Sequence, residues 1–317
     1  MNAHAIVFEQ PRQLALQALA LPDIGPDQIE IEVEYSGIST GTERLLWDGS
    51  MPAFPGMGYP LVPGYETVGR VRRAGSQTTY KENQRVFVPG AQCFEGVRSL
   101  FGGAASRLIV PEARTVAVGE DLKDQAVLLA LAATAYHAVA GGGQRKEIRP
   151  PDLIVGHGVM GRLLARLTVA AGVAAPTVWE TEPHRQAGAQ GYAVVSPEDD
   201  PRRDYQSIYD VSGDAHLLDQ LIQRLRPGGE VVLAGFYKSD LHFAYAPAFM
   251  REAQIRTAAE WKRPDLLAVT ELVQTGRLSL DGLITHHQSP AKAEQAYATA
   301  FGDAHCLKMV LDWSANA

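Results

Sequence analysis

The chain has 317 residues, 46% of them hydrophobic and 30 of them glycine, enough to bury the cores of two domains. A net charge of −7 supplies no basic excess for neutralising phosphates, which argues against a nucleic-acid or anionic-membrane binder. Cys93 and Cys306 are far apart with no CxxC or Cys/His cluster around them, so neither a disulfide framework nor a structural zinc lobe is indicated. No run of about 18 apolar residues reads as an integral membrane segment. The N-terminal MNAHAIVFEQ lacks the basic and apolar regions of a secretory signal, and the cytoplasm is the expected compartment.

Residues 1–120 read as β-rich. A short apolar run at 5–8 is followed by 29–35, where Ile, Val and Tyr alternate with Glu30, Glu32 and Glu34, the pattern of a half-buried strand with an acidic outer face. Glycine and proline punctuate SGISTGTE at 36–43 and MPAFPGMGYPLVPGYE at 51–66, and further strands are expected at 67–73, 85–88 and 107–110. With so little helical periodicity, a small barrel is the expected fold of this part. From Asp121 a helical pattern begins, with Val127, Leu128, Leu131 and Ala135 on one side, and leads through the GGG at 141–143 into a second domain.

That domain opens with DLIVGHGVMG. The apolar run 153–155 suits a buried parallel strand and stops at Gly156, where the G-x-G-x-x-G spacing of Gly156, Gly158 and Gly161 encloses His157, Val159 and Met160. In that motif the first glycine permits a tight turn, the second lets backbone approach a pyrophosphate, and the third lets the next helix pack against the strand. Phosphates then sit on the helix N-terminus, where unpaired N–H groups and the helix dipole favour an anion. A strand at 177–179 precedes Glu180, nineteen positions after Gly161, where a carboxylate accepts from ribose hydroxyls and repels a 2′-phosphate. The pattern favours NAD over NADP, although His184 and Arg185 keep NADP open. Strands at 192–195, 207–211 and 230–234 and a helix at 214–225 continue the alternation of a parallel doubly wound sheet, and beyond Trp261 a helix is expected at 266–276 in a tail that returns to the first domain.

A glycine-rich barrel, a Rossmann domain inserted after it and a returning tail resemble the medium-chain dehydrogenase/reductase superfamily. The matching segments are GISTGTE at 37–43, PGYETVGRV at 63–71, RVFVPG at 85–90, TAYHAV at 134–139, GHGVMG at 156–161, and YDVSG with RPGGEVVLAG at 209–235. The resemblance implies an α/β protein with a GroES-like catalytic domain at 1–122, a Rossmann domain at 123–260 and a C-terminal return at 261–317. It adds Thr134, Ser212 and Gly235 as cofactor contacts. Zinc members of the superfamily carry cysteine where Ser39 stands and histidine where Tyr65 stands, followed by a glutamate matched by Glu66. Serine and tyrosine are poor zinc donors, so a zinc-free member is expected and no metal ligand is assigned.

Within the superfamily, GISTGTERLLWDGSMPAFPGMGYPLVPGYE is similar to the dehydrogenases of bacteriochlorophyll synthesis. That likeness implies NAD-dependent oxidation of a 1-hydroxyethyl side chain on a chlorin or bacteriochlorin to an acetyl group, in a cleft between barrel and Rossmann domain. Without zinc, a side chain or solvent chain must take the proton as hydride leaves. Glu66 is the leading expectation for proton acceptor and Tyr65 for positioning the hydroxyl, with Ser39, Thr42 and Glu43 beside them. Glu66 reads equally well as a buried carboxylate paired with an arginine, and Ser39 and Thr42 as turn residues. Trp47, Met51, Phe54, Met57 and Tyr59 offer a flat apolar wall for a tetrapyrrole, or ordinary packing. The adjacent His286 and His287 point apart in any regular element and are not expected to bind metal. A homodimer remains open. The competing readings are a zinc-free NAD(P)H-dependent quinone or enoyl reductase and a non-catalytic nucleotide sensor.

Overall fold

A computed structural model describes residues 2–53, 55–140 and 149–314. It divides into two compact units, Met1–Ala130 with Leu283–Ala317 and Leu131–Gly282.

In the first unit, Asn2–Gln10 and Gln13–Ala20 form a hairpin in a four-stranded sheet completed by Leu61–Pro63 and Arg98–Leu100. The larger sheet runs His286–Gln288, Met309–Asp312, Gln28–Ile38, Thr67–Ala74, Arg85–Val88 and Val116–Ala117, with Arg107–Pro111 also paired to Gln28–Ile38. Ile6, Phe8, Ile29, Ile31, Val86, Leu108 and Leu311 are buried in the core shared by these strands. The expected acidic outer face needs correction. Only Glu32 is exposed; Glu30 is buried against Arg73, and Glu34 bridges Arg70 and Arg85. The neighbouring strand Thr67–Ala74 places Arg73 opposite Glu30, and Arg85 on the strand beyond it reaches Glu34 together with Arg70, so these two carboxylates are paired rather than solvated.

In the second unit, six parallel strands run in the order Ala193–Val195, Thr177–Trp179, Leu153–Val155, Tyr205–Asp210, Leu225–Leu233 and Gln254–Thr257. Strand order reverses at Leu153–Val155, so the crevice beyond the ends of that strand and Tyr205–Asp210 is the switch point at which such sheets bind ligands.

Two expected boundaries move. Residues 261–282 belong to the second unit, because the helix Arg263–Gln274 and the turn after it are held there: Asp265 accepts from His137 Nδ1 at 2.8 Å, and Arg166 donates to the Ser279 carbonyl at 2.9 Å. The first boundary shifts from 122 to 130. The helical pattern after Asp121 starts as a 3-10 stretch, Glu120–Leu128, broken by Lys123 at φ 42°, before the helix Leu129–Ala140. The helix expected at 214–225 shrinks to Leu218–Arg224, since Ser212 and Asp214 side chains capture the N–H groups of Asp214 and His216. The GGG at 141–143 lies outside the described residues. Among the described residues no helix is long and apolar enough to cross a membrane.

Candidate active site

Gly156 ends its strand with φ at 104°, a conformation glycine adopts without strain. A β-carbon on Gly161 would lie 1.9 Å from the Gly156 carbonyl oxygen, so the helix Val159–Ala170 reaches the strand only because position 161 is bare. Gly158 is different. A β-carbon there would meet nothing within 4 Å, so the protein itself does not demand glycine. A pyrophosphate approaching the helix N-terminus would. Ser212 and Gly235 lie beside this turn: the bare face of Gly156 looks onto Val211 and Ser212, and Gly235 packs on Val211 while donating to the Asp210 carbonyl at 2.9 Å. Ser212 donates to Asp210 through both N–H and hydroxyl, at 2.9 and 2.6 Å.

Glu180 is held by two backbone donors, His157 N–H on Oε2 at 3.0 Å and Glu182 N–H on Oε1 at 2.8 Å. The glycine turn and the acid are thereby fixed to one another. The His157 ring faces inward: Nδ1 lies 2.6 Å from the Arg185 carbonyl and Nε2 2.8 Å from the Tyr192 hydroxyl. Burial pushes its pKa down to about 4, so the imidazole is neutral, donating to the carbonyl and accepting from the tyrosine. The ring and the backbone N–H of His157 are thus both committed to partners within the protein. Val159 is buried and Met160 half-buried, while Thr134 is half-buried on Leu129–Ala140. Arg162, which the sequence reading did not single out, donates to the carbonyls of His157, Arg185 and Ala187 at 3.0, 3.0 and 2.8 Å and braces the segment after Glu180.

In the first unit the structure gathers Ser39, Thr42, Glu43, Tyr65 and Glu66. Ser39 opens the loop between the strand Gln28–Ile38 and the short helix Thr42–Asp48, and its Oγ lies 2.6 Å from the Tyr65 hydroxyl. Thr42 also hydrogen-bonds Tyr65, whose ring packs edge-on to Phe101 at 5.6 Å. Burial first, then the charge of Glu66, hold the Tyr65 pKa above its ordinary value, so it works as a neutral hydroxyl. Glu66 is fully buried and both its oxygens accept from Lys308 Nζ, at 2.9 and 2.7 Å. Its side chain occupies the space that a β-carbon on Gly37 would need, 2.2 Å away. Burial holds this carboxyl above the ordinary carboxylate range, and the Lys308 charge and hydrogen bond offset only part of that rise. Glu43 accepts from Ser39 N–H at 3.0 Å and from the Tyr297 hydroxyl at 2.9 Å, and burial pushes it up to about 8.

These residues do not fit a zinc ion. The Ser39 and Tyr65 hydroxyls bond each other, Glu66 is committed to Lys308, and among the described residues no three His, Cys, Asp or Glu side chains converge. His286 bonds Thr285, and His287 bonds Asp124 at 2.6 Å. Trp47, Met51, Met57 and Tyr59 are half-buried on the barrel core, Trp47 with its ring 5.8 Å from Phe301 and Tyr59 donating to the Leu46 carbonyl. Phe54 lies outside the described residues. Lys308 and Tyr297 escaped the sequence reading; the only signal was a lone lysine inside the apolar run CLKMVLDW.

Residues 25–120 match the alcohol dehydrogenase GroES-like domain. Over its whole length the chain is similar to two curated 2-desacetyl-2-hydroxyethyl bacteriochlorophyllide A dehydrogenases. It is 52% identical to that of Rhodobacter capsulatus, covering 99% of each chain, and 52% identical to that of Cereibacter sphaeroides, covering 100% of each. A solved alcohol dehydrogenase of Escherichia coli CFT073 complexed with NADH superposes with a TM-score of 0.82 at 19% identity, over 98% of this chain and 99% of that one, a likeness of fold.

The glycines make separable predictions. Gly158→Ala should leave the unfolding free energy within about 0.5 kcal/mol of wild type, while weakening nicotinamide dinucleotide binding measured by titration. Gly161→Ala should cost about 1–3 kcal/mol or more through overpacking. Equal stability losses in both, or undiminished binding in Gly158→Ala, would contradict the assignment.

Proposed function

The chain belongs to the 2-desacetyl-2-hydroxyethyl bacteriochlorophyllide A dehydrogenases of the medium-chain dehydrogenase/reductase superfamily, and on that premise we propose zinc-independent, NAD-linked oxidation of a ring hydroxyethyl group to acetyl. Enzymes of this kind are oxidoreductases acting on a CH–OH group. The observation that carries the zinc-free part is the Ser39–Tyr65 hydroxyl pair, 2.6 Å apart, standing where zinc members carry thiolate and imidazole.

Bound nicotinamide supplies the hydride acceptor. The protein's own task is to hold the alcohol and take its proton. Tyr65 and Ser39 meet the substrate hydroxyl, and the proton passes along the Ser39–Tyr65–Thr42 hydroxyls toward solvent at the half-exposed Thr42. This moves the accepting role away from Glu66, whose oxygens are both occupied by Lys308. A macrocycle conjugated to the carbinol carbon spreads the positive charge that develops as hydride leaves, which lessens the need for a Lewis acid. Trp47, Met57 and Tyr59 serve as its apolar platform, with Met51 beside them. If so, Tyr65→Phe should lower kcat by about 10² with cofactor affinity intact, and chelation should leave wild-type turnover unchanged. Full activity in Tyr65→Phe sinks the hydroxyl reading. Stoichiometric zinc whose removal abolishes turnover sinks the metal-free one.

The preference for NAD rests on Glu180. Its carboxylate, clamped by the His157 and Glu182 N–H groups, keeps lone pairs for ribose hydroxyls and presents a fixed negative charge to a 2′-phosphate. Glu180→Ala should weaken NAD by about 1.5–3 kcal/mol and shift the NAD/NADP ratio toward NADP. Loss of the loop clamp alone would weaken both cofactors together, so an unchanged ratio defeats the assignment.

A homodimer is the proposed assembly. Among the described residues Gln254–Thr257 is an open edge of its sheet, with Ile255 exposed, and the preceding helix Tyr245–Met250 leaves Tyr245, Phe249 and Met250 at 72%, 63% and 74% exposure. Unpaired edge backbone beside exposed aromatics is a template for a second strand. Sedimentation should give twice the chain mass for wild type and a monomer for Ile255→Pro; a monomeric wild type contradicts the proposal.

A further inference from the structure

The Ile38–Ser39 peptide group is held at both of its polar ends by buried side chains. Lys308 Nζ donates to the Ile38 carbonyl at 3.1 Å, and the Ser39 N–H of the same peptide donates to Glu43 Oε1 at 3.0 Å. Behind each contact stands a second buried partner. Glu66 accepts from Lys308 through both oxygens, and Tyr297 donates to Glu43 Oε2 at 2.9 Å. Tyr297 is in turn wedged edge-on between Phe8, at 5.3 Å, and Phe301, at 5.6 Å.

We propose that Glu43, anchored by Tyr297, is a positioning residue that sets the Ser39 hydroxyl against Tyr65 by gripping the Ser39 peptide N–H from the far side. The proposal rests on the reading of Ser39 and Tyr65 as the pair that meets the substrate hydroxyl. Glu43 is buried and its two oxygens accept from Ser39 N–H and Tyr297, so it acts through the peptide and does not touch substrate. A displacement of Ser39 would break the Glu43 contact and loosen the Lys308 contact, leaving buried polar groups unpaired. The serine is thereby fixed to the accuracy that hydride and proton transfer demand, where about 1 Å of misplacement costs on the order of 10²-fold in rate.

The chemistry of the grip separates positioning from proton transfer. A glutamine at 43 still offers a carbonyl oxygen to Ser39 N–H and an amide to the Tyr297 oxygen, but it cannot take a proton. Purified full-length Glu43→Gln, Glu43→Ala, Tyr297→Phe and Tyr65→Phe are compared by steady-state kinetics with a hydroxyethyl chlorin and NAD, each checked for folding by thermal melting. Glu43→Gln should keep kcat within about threefold of wild type, Glu43→Ala should lose on the order of 10²-fold, and Tyr297→Phe should lose several-fold, all with KM for NAD unchanged. Should Glu43→Ala fail to fold, Glu43→Gln and Tyr297→Phe still decide the matter. Glu43→Gln as inactive as Tyr65→Phe, or wild-type kcat in Tyr297→Phe, overturns the positioning role. Wild-type kcat in Tyr65→Phe overturns the underlying reading of the hydroxyl pair instead, so the two failures are distinguishable.

Discussion

The buried ion pair between Glu66 and Lys308 is the constraint on which the first unit depends. Neither side chain has appreciable exposure, and a lone charge in that position would be strongly destabilising, by about 3–5 kcal/mol when one partner of such a pair is removed. Lys308 therefore has to arrive beside Glu66, 242 positions away in sequence. The sheet register achieves this. Met309 pairs with Ile38 across the antiparallel ladder, so the preceding lysine reaches both Glu66 and the Ile38 carbonyl. Gly37 completes the fit, because any side chain there would occupy the place of the Glu66 carboxylate. The C-terminal segment is thus tied to the loop that carries Ser39, and Tyr297 on Ala293–Gly302 ties it a second time through Glu43.

In the second unit the glycine turn is fixed through backbone contacts. Gly156 turns, Gly161 lets helix meet strand, and Gly158 is left facing open space. Glu180 closes the arrangement by taking the His157 N–H into its carboxylate, which fixes the acid and the glycine turn to each other. Below them the neutral His157 ring, Tyr192 and Arg162 fill the interior with satisfied hydrogen bonds, so that the turn is pre-set before any cofactor arrives.

Local patterns made much of this legible in the sequence. The strand, glycine turn, helix, strand and acid from 153 to 180 are each specified by neighbouring residues, and the structure places them as the spacing implied. The barrel strands at Thr67–Ala74 and Arg85–Val88 were equally readable from β-branched runs. What sequence did not disclose were partners brought from far along the chain. Glu66 invited a catalytic reading because nothing near it announced Lys308. The glutamates at 30 and 34 looked solvated because their arginines lie on another strand. The segment after 260 looked like a return to the barrel because the pairing of Asp265 with His137 has no local signature.

The central claim is that hydride leaves the carbinol carbon of a ring hydroxyethyl group without a metal to acidify the alcohol. Its most direct test is isotope transfer: a hydroxyethyl bacteriochlorophyllide carrying deuterium at that carbon is incubated with the protein, NAD and a chelator, and both products are read by mass spectrometry. The account predicts acetyl product together with deuterated NADH in equal amounts. Acetyl product without label on the nicotinamide, or faster oxidation of short aliphatic alcohols under the same conditions, would contradict it.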